Sequence, residues 1–273
     1  MAELSLRIFD CPVRVNCHDE VSLRLIRTCY SAFRIDAEGS DVALDYTIIP
    51  AERNEHWLLQ IGDDEILCES EADLLYDFEK DMTIRAQELR ADLFFMHAAA
   101  VYRDGKCIII SGASGSGKST LCWTLCNSGF TYLSDELAPI QLAGVRVVPY
   151  PHALCLKSRP ESGADLPIST IDTLTTLHVP TDSLPKPPME SLATLSAMIF
   201  IVFDGARDHA AIHEISQGEA AARLYSNALN QLAHEADGLP AARHIAESAP
   251  AFALRTGTVR ETAGIIGDLV DSL

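Results

Sequence analysis

Residues 108–125, IIISGASGSGKSTLCWTL, constrain this chain more than any other stretch. An apolar strand candidate enters a glycine-rich turn, and a helix candidate leaves it. Gly112, Ala113, Ser114, Gly115, Ser116, Gly117, Lys118 and Ser119 fit GxxxxGK[ST] at every position, and Thr120 follows. Small residues let backbone N–H groups turn inward around phosphate oxygens. The helix that starts near Lys118 adds its positive N-terminal end. The motif assigns Lys118 to the outer phosphates and the Ser119 hydroxyl to Mg²⁺. It predicts an α/β core that binds a nucleotide or pyrophosphate.

A second acidic group should lie near such a metal, and chain lengths nominate it. A helix from Lys118 to Ser128 runs roughly 16 Å away from the loop at 1.5 Å per residue. Gly129 stops it. Residues 130–134 return as a strand over roughly 16 Å. Asp135 and Glu136 then emerge beside the phosphate site. Asp204, which ends MIFIVFD, is a rival strand-end acid.

Around this core the patterning predicts two parts, 1–90 and 91–273. Residues 1–69 read as a small α/β unit. Leu4, Leu6 and Ile8 alternate as a strand, 18–33 carries helical spacing, and two strands flank Gly62-Asp63. An amphipathic helix over about 71–94 joins the parts, with Leu74, Phe78, Met82, Ala86, Leu89 and Leu93 on its apolar face. From His97, two apolar strands surround Asp104-Gly105, a hairpin signal. The strand feeding the loop is therefore predicted to pair antiparallel with the one before it. Proline-punctuated residues 158–196 read as loop, with 180–191 a lid candidate. A buried strand near 197–205, a helix over 217–235 and a terminal helix over 258–272 complete the reading.

Composition limits the partners. Lys and Arg number 21 against 39 Asp and Glu, a net charge of −18. That opposes non-specific binding to nucleic acid or an anionic membrane, and it tolerates a neutral or cationic partner. No apolar run approaches the ~20 residues of a membrane span. The first residues carry no signal-peptide pattern. The eight cysteines form no CxxC pair. A reduced, cytoplasmic protein is the expectation, and an oligomer is compatible with it.

The series HAAAV, GASGSGKS and GFTYLSDE resembles the catalytic domain of the HPr kinase/phosphorylase family and its smaller relatives. These share a phosphoenolpyruvate-carboxykinase-like P-loop core. The steps from His97 to Gly112 and from Gly112 to Asp135 match the family spacing. The resemblance covers residues 97–140 and is absent from 1–90. It implies that Asp135 is the base that takes a proton from a substrate hydroxyl while the γ-phosphoryl group transfers. It implies that His97 interacts with Asp135, and that Ser119 with Asp135 or Glu136 holds Mg²⁺. There are departures. Glu136 stands where the family has a second Asp, and Thr120 replaces an acid. The Glu-Arg-Gly-Leu-Gly signature that follows in true HPr kinases is missing, which argues against HPr itself as the acceptor. In its place, Lys157 and Arg159 offer cations toward substrate.

The expected activity is an ATP- and Mg²⁺-dependent kinase acting on a hydroxyl, a serine of a peptide or protein first. Small relatives resemble tailoring kinases for ribosomal peptides. A small-molecule hydroxyl kinase and a regulatory NTPase without an acceptor are the alternatives. Use of Asp135 with His97 favours the kinases, and use of Asp204 favours the switch.

Overall fold

The computed structural model describes residues 1–273 except 37–41, 52–55, 161–164, 187–191 and 204–208. The chain divides into two compact units. Met1–Arg90, Pro151–Arg159 and Leu166–Ser183 form one; Ala91–Tyr150 and Leu184–Leu273 belong to the other. Residues 151–159 and 166–183 thus group with the N-terminal unit, although the sequence reading placed them in 91–273.

The first unit opens with strands β1 (Ala2–Ile8) and β2 (Cys11–Cys17), an antiparallel hairpin. Helix α1 (Glu20–Cys29) follows, capped by the Asp19 carboxylate, which accepts the N–H groups of Val21 and Ser22. Strands β3 (Leu44–Pro50), β4 (Trp57–Ile61) and β5 (Asp64–Cys68) complete the sheet in the order β1-β2-β3-β4-β5. The β4–β5 turn is the predicted Gly62-Asp63, with Gly62 at φ 60°. Leu6, Val15, Leu25, Tyr46, Leu59 and Phe78 are fully buried, so sheet and helices share one core.

Helix α2 (Glu71–Leu89) starts at Ser70, whose hydroxyl accepts the Asp73 N–H. Its buried stripe is Leu74, Phe78, Met82 and Ala86, as the spacing predicts. The helix stops at Leu89, five residues before the expected 94. Arg90 leaves helical geometry, and Leu93 pairs in a sheet instead. Tertiary strand pairing overrides the local pattern there.

The second unit is built on strand β6 (Leu93–Arg103), which turns at Asp104-Gly105 into β7 (Lys106–Ser111). Both turn residues have positive φ, 50° and 85°, as the predicted hairpin requires. Helix α3 (Lys118–Cys126), β8 (Thr131–Ser134), β9 (Leu137–Gln141) and β10 (Arg146–Val147) follow. The chain next contributes β11 (Leu154–Leu156), β12 (Ile171–Asp172) and β13 (Leu177–Val179), a small sheet in the first unit. It returns as β14 (Ala193–Phe203), β15 (Ala211–Glu214), α4 (Gln217–Ser226), α5 (Leu239–Ser248), β16 (Ala251–Thr256) and α6 (Val259–Ser272).

The main sheet runs β10-β9-β6-β7-β14-β16-β15, with β8 also on β6. β14 lies parallel to β7 and β16, so antiparallel hairpin and parallel core meet at β7. Phe94, Met96, Ala98, Ile109, Met198 and Phe200 face α4 and α5 across one apolar core. The helix expected over 217–235 ends at Ser226. Beyond it, Leu229 N–H bonds Phe95 O, and the Asn230 amide bridges Phe95 N–H and Leu93 O, drawing the chain along β6. All eight cysteines are free thiols. Among the described residues, no helix is long and apolar enough to cross a membrane.

Candidate active site

The glycine-rich loop leaves the C-terminal end of β7, between β6 and β14. Gly112 has no room for a side chain. A Cβ there would stand 2.6 Å from Ile201 O, 2.8 Å from Ile201 Cγ1 and 2.9 Å from Ser116 Oγ. Gly115 and Gly117 take the left-handed φ values 80° and 90°, which side chains resist. The Ser116 N–H closes the turn onto Ala113 O at 3.1 Å. Its hydroxyl is buried and has no hydrogen-bond partner among the described residues. Gly117 caps α3 without a side-chain bond. Lys118 is 7% exposed, and its ammonium donates to Gly112 O at 2.8 Å and Ala113 O at 3.3 Å. Ser119 and Thr120 are half-buried in the first turn of α3. A buried ammonium and an orphaned hydroxyl at the N-terminal end of α3 suit a polyphosphate.

The return path follows the length argument. α3 ends at Cys126, Gly129 turns at φ 91°, and β8 comes back along β6. β8 and β9 lie end to end on β6, and Asp135 and Glu136 occupy the break between them. The Glu136 carbonyl accepts the Ala98 N–H, and Ala98 pairs across β6–β7 with Ser111. The break therefore lies two strand spacings, roughly 10 Å, from the residue that starts the loop.

Asp135 is fully buried, and the Tyr132 hydroxyl donates to its Oδ1 at 2.9 Å. Sequence reasoning did not nominate Tyr132. In a regular strand, residues three apart face opposite sides. A register shift sets Val101 opposite Tyr132 but Ala100 opposite Ser134, which inserts one extra residue into β8. That bulge brings Tyr132 and Asp135 together, and no local sequence signal announces it. The Tyr132 N–H is itself held by Pro185 O at 2.6 Å, which ties part of the expected lid segment to β8. Residues 187–191 of that segment lie outside the described residues. Nearby Cys122 is kept a neutral thiol by its hydrogen bond with Cys126, then by burial and by the Asp135 charge.

His97, at the β6 position paired with Leu137, shares this neighbourhood. Burial, then the Lys118 ammonium, lower its pKa, while a hydrogen bond with the Glu136 backbone opposes them. It is therefore the neutral imidazole near pH 7. The Glu136 side chain is exposed. Lys157 and Arg159 belong to the other unit, where Arg159 is 71% exposed and 3.7 Å from Asp172. Asp204, the rival metal acid, lies outside the described residues.

No family model and no curated protein matches this chain. Among solved structures, the HPr(Ser) kinase/phosphatase from Coxiella burnetii is similar over 65% of this chain and 88% of that one. The identity is 14% and the TM-score 0.33, too shallow for the likeness to say what this chain does.

Proposed function

We propose that this chain is a phosphotransferase that moves the γ-phosphoryl group of ATP to a hydroxyl, first of all a serine of a peptide or protein. One observation carries the reading. A fully buried carboxylate, Asp135, occupies the strand break in line with the start of a complete phosphate loop. An acid at this place suits a base that takes the proton of an acceptor hydroxyl, and the experiment below separates that role from metal binding in an NTPase.

The residues divide the work. The loop amides and Lys118 bind and orient the donor phosphates. Ser119, with Asp135 or Glu136, would hold Mg²⁺, which when bound neutralises phosphate charge. Asp135 accepts the acceptor's hydroxyl proton as that oxygen bonds to phosphorus and ADP leaves with the electron pair of the broken bond. Tyr132 fixes the carboxylate while this happens. Neutral His97 adds no second positive charge beside Lys118. The net charge of −18 favours a neutral or basic acceptor segment, as in a precursor peptide, over an acidic one.

The test uses labelled ATP, a panel of serine peptides and small alcohols, and mass spectrometry. Wild type should phosphorylate a serine. Asp135→Asn should still bind ATP yet transfer roughly 10²–10⁴-fold more slowly. ATP hydrolysis that no acceptor diverts, and that Asp135→Asn leaves intact, would refute the kinase.

A further inference from the structure

The N-terminal unit contains a second cluster of chemically capable side chains. Glu79 on α2, His152 just before β11 and Cys155 on β11 offer donor atoms all within 4.8 Å of one another. His152 Nε2 stands 2.6 Å from Glu79 Oε1. A fourth donor comes from β13, where His178 Nδ1 lies 3.3 Å from Cys155 Sγ. All four belong to the first unit, yet they come from its three separate chain segments.

We propose that Glu79, His152, Cys155 and His178 form a tetrahedral site for a zinc-class divalent ion. The donor set is one carboxylate, one thiolate and two imidazoles, the mixture that suits Zn²⁺. Donors 2.0–2.3 Å from a tetrahedral ion stand roughly 3.3–3.8 Å apart. The separations among Glu79, His152 and Cys155, and that from His178 to Cys155, lie within about an ångström of that, and closing the shell brings His178 nearer to the other two donors.

The surroundings fit as well. A ligating histidine usually has its other ring nitrogen tied by an outer partner. His178 Nε2 is 2.8 Å from Thr176 Oγ1, which leaves Nδ1 facing Cys155. Thr176 Oγ1 is in turn 3.0 Å from Thr173 Oγ1, and the Thr173 hydroxyl reaches the Thr176 carbonyl at 3.1 Å. The ring is thus oriented by a local network. Its side is buried, His152 at 2% and His178 at 6% exposure, while Glu79 and Cys155 are half-buried. An ion could enter from that side and lose most of its water inside. Binding would take the thiol proton into solvent and clip 151–159 and 166–183 onto α2.

The experiment uses the full chain, stripped with a chelator, dialysed against Zn²⁺ and analysed for metal. One zinc per chain and a raised melting temperature are expected. Co²⁺ should give a thiolate-to-cobalt charge-transfer band. Cys155→Ser should abolish that band. His178→Gln should weaken zinc binding by more than the 10–100-fold typical of losing an outer partner. Cys11→Ser, which alters the other half-buried thiol, should change neither readout. Folded wild type, verified by circular dichroism, that takes up no zinc and shows no cobalt band would overturn the proposal. So would a band or zinc affinity that survives Cys155→Ser, since the ion would then sit elsewhere.

Discussion

Tyr132→Phe isolates the contact that sequence reasoning missed. The substitution keeps the ring and removes one hydroxyl, whose partner is a carboxylate oxygen 2.9 Å away. Both residues are at 0% exposure, so water does not replace the lost donor. A hydrogen bond to an ionised group contributes about 1.5–3 kcal/mol net, and one between neutral groups about 0.5–1.5 kcal/mol. Tyr132→Phe should therefore cost about 1.5–3 kcal/mol in wild type but only about 0.5–1.5 kcal/mol in an Asp135→Asn background. The difference, on the order of 1 kcal/mol, is the part that depends on the carboxylate's charge. The protein has two tryptophans, Trp57 in the first unit and Trp123 on α3 in the second. A common Trp57→Phe background leaves Trp123, 3% exposed, to report urea unfolding of the phosphate-loop unit alone. This matters because a chain of two units need not unfold in one step. Equal costs in both backgrounds, within the ~0.3–0.5 kcal/mol expected of independent sites, would refute a charge-assisted contact. A wild-type cost near zero would refute the contact itself.

Lys118→Ala should abolish most of the thermal stabilisation that ATP-Mg²⁺ confers by mass action, read by differential scanning fluorimetry. Gly112→Ala sets a methyl against the Ile201 carbonyl at 2.6 Å. It should destabilise the second unit by about 1–3 kcal/mol in urea and shrink the same nucleotide shift. His97 has a lowered folded pKa, so the unfolded chain takes up its proton first. Its contribution should be complete above the unfolded value of about 6.5 and be lost as pH falls below it. Unfolding free energies of His97→Gln should accordingly fall less steeply with acid than those of wild type.

What could be read from sequence was local. The phosphate loop is contiguous, and each residue type is dictated by a backbone or charge requirement within eight positions. The Asp104-Gly105 hairpin was legible for the same reason, since both positions need positive φ. The return of Asp135 was legible because helix and strand rise are fixed by geometry. Contacts that depend on distant pairing were not. The end of α2 is set by Leu93 joining Gln141, which no window around residue 90 contains. Tyr132 meets Asp135 only through a bulge against β6. Glu79, His152, Cys155 and His178 have no motif spacing, and the proline-punctuated run 158–196 that holds His178 read as loop. β11 and β13 place it in a sheet because their partners are each other.

The division of the chain into discontinuous units carries a consequence for synthesis. The N-terminal unit cannot be completed until Ser183 has left the ribosome, since β11, β12 and β13 belong to it. At roughly 5–20 residues per second, that delay after Arg90 is on the order of ten seconds. The whole phosphate loop and Asp135 are made within it. During that interval the first ninety residues are exposed to chaperones and proteases as an unfinished body. A ribosome stalled between 90 and 183 should therefore display a protease-sensitive N-terminal segment that becomes resistant only once 183 emerges.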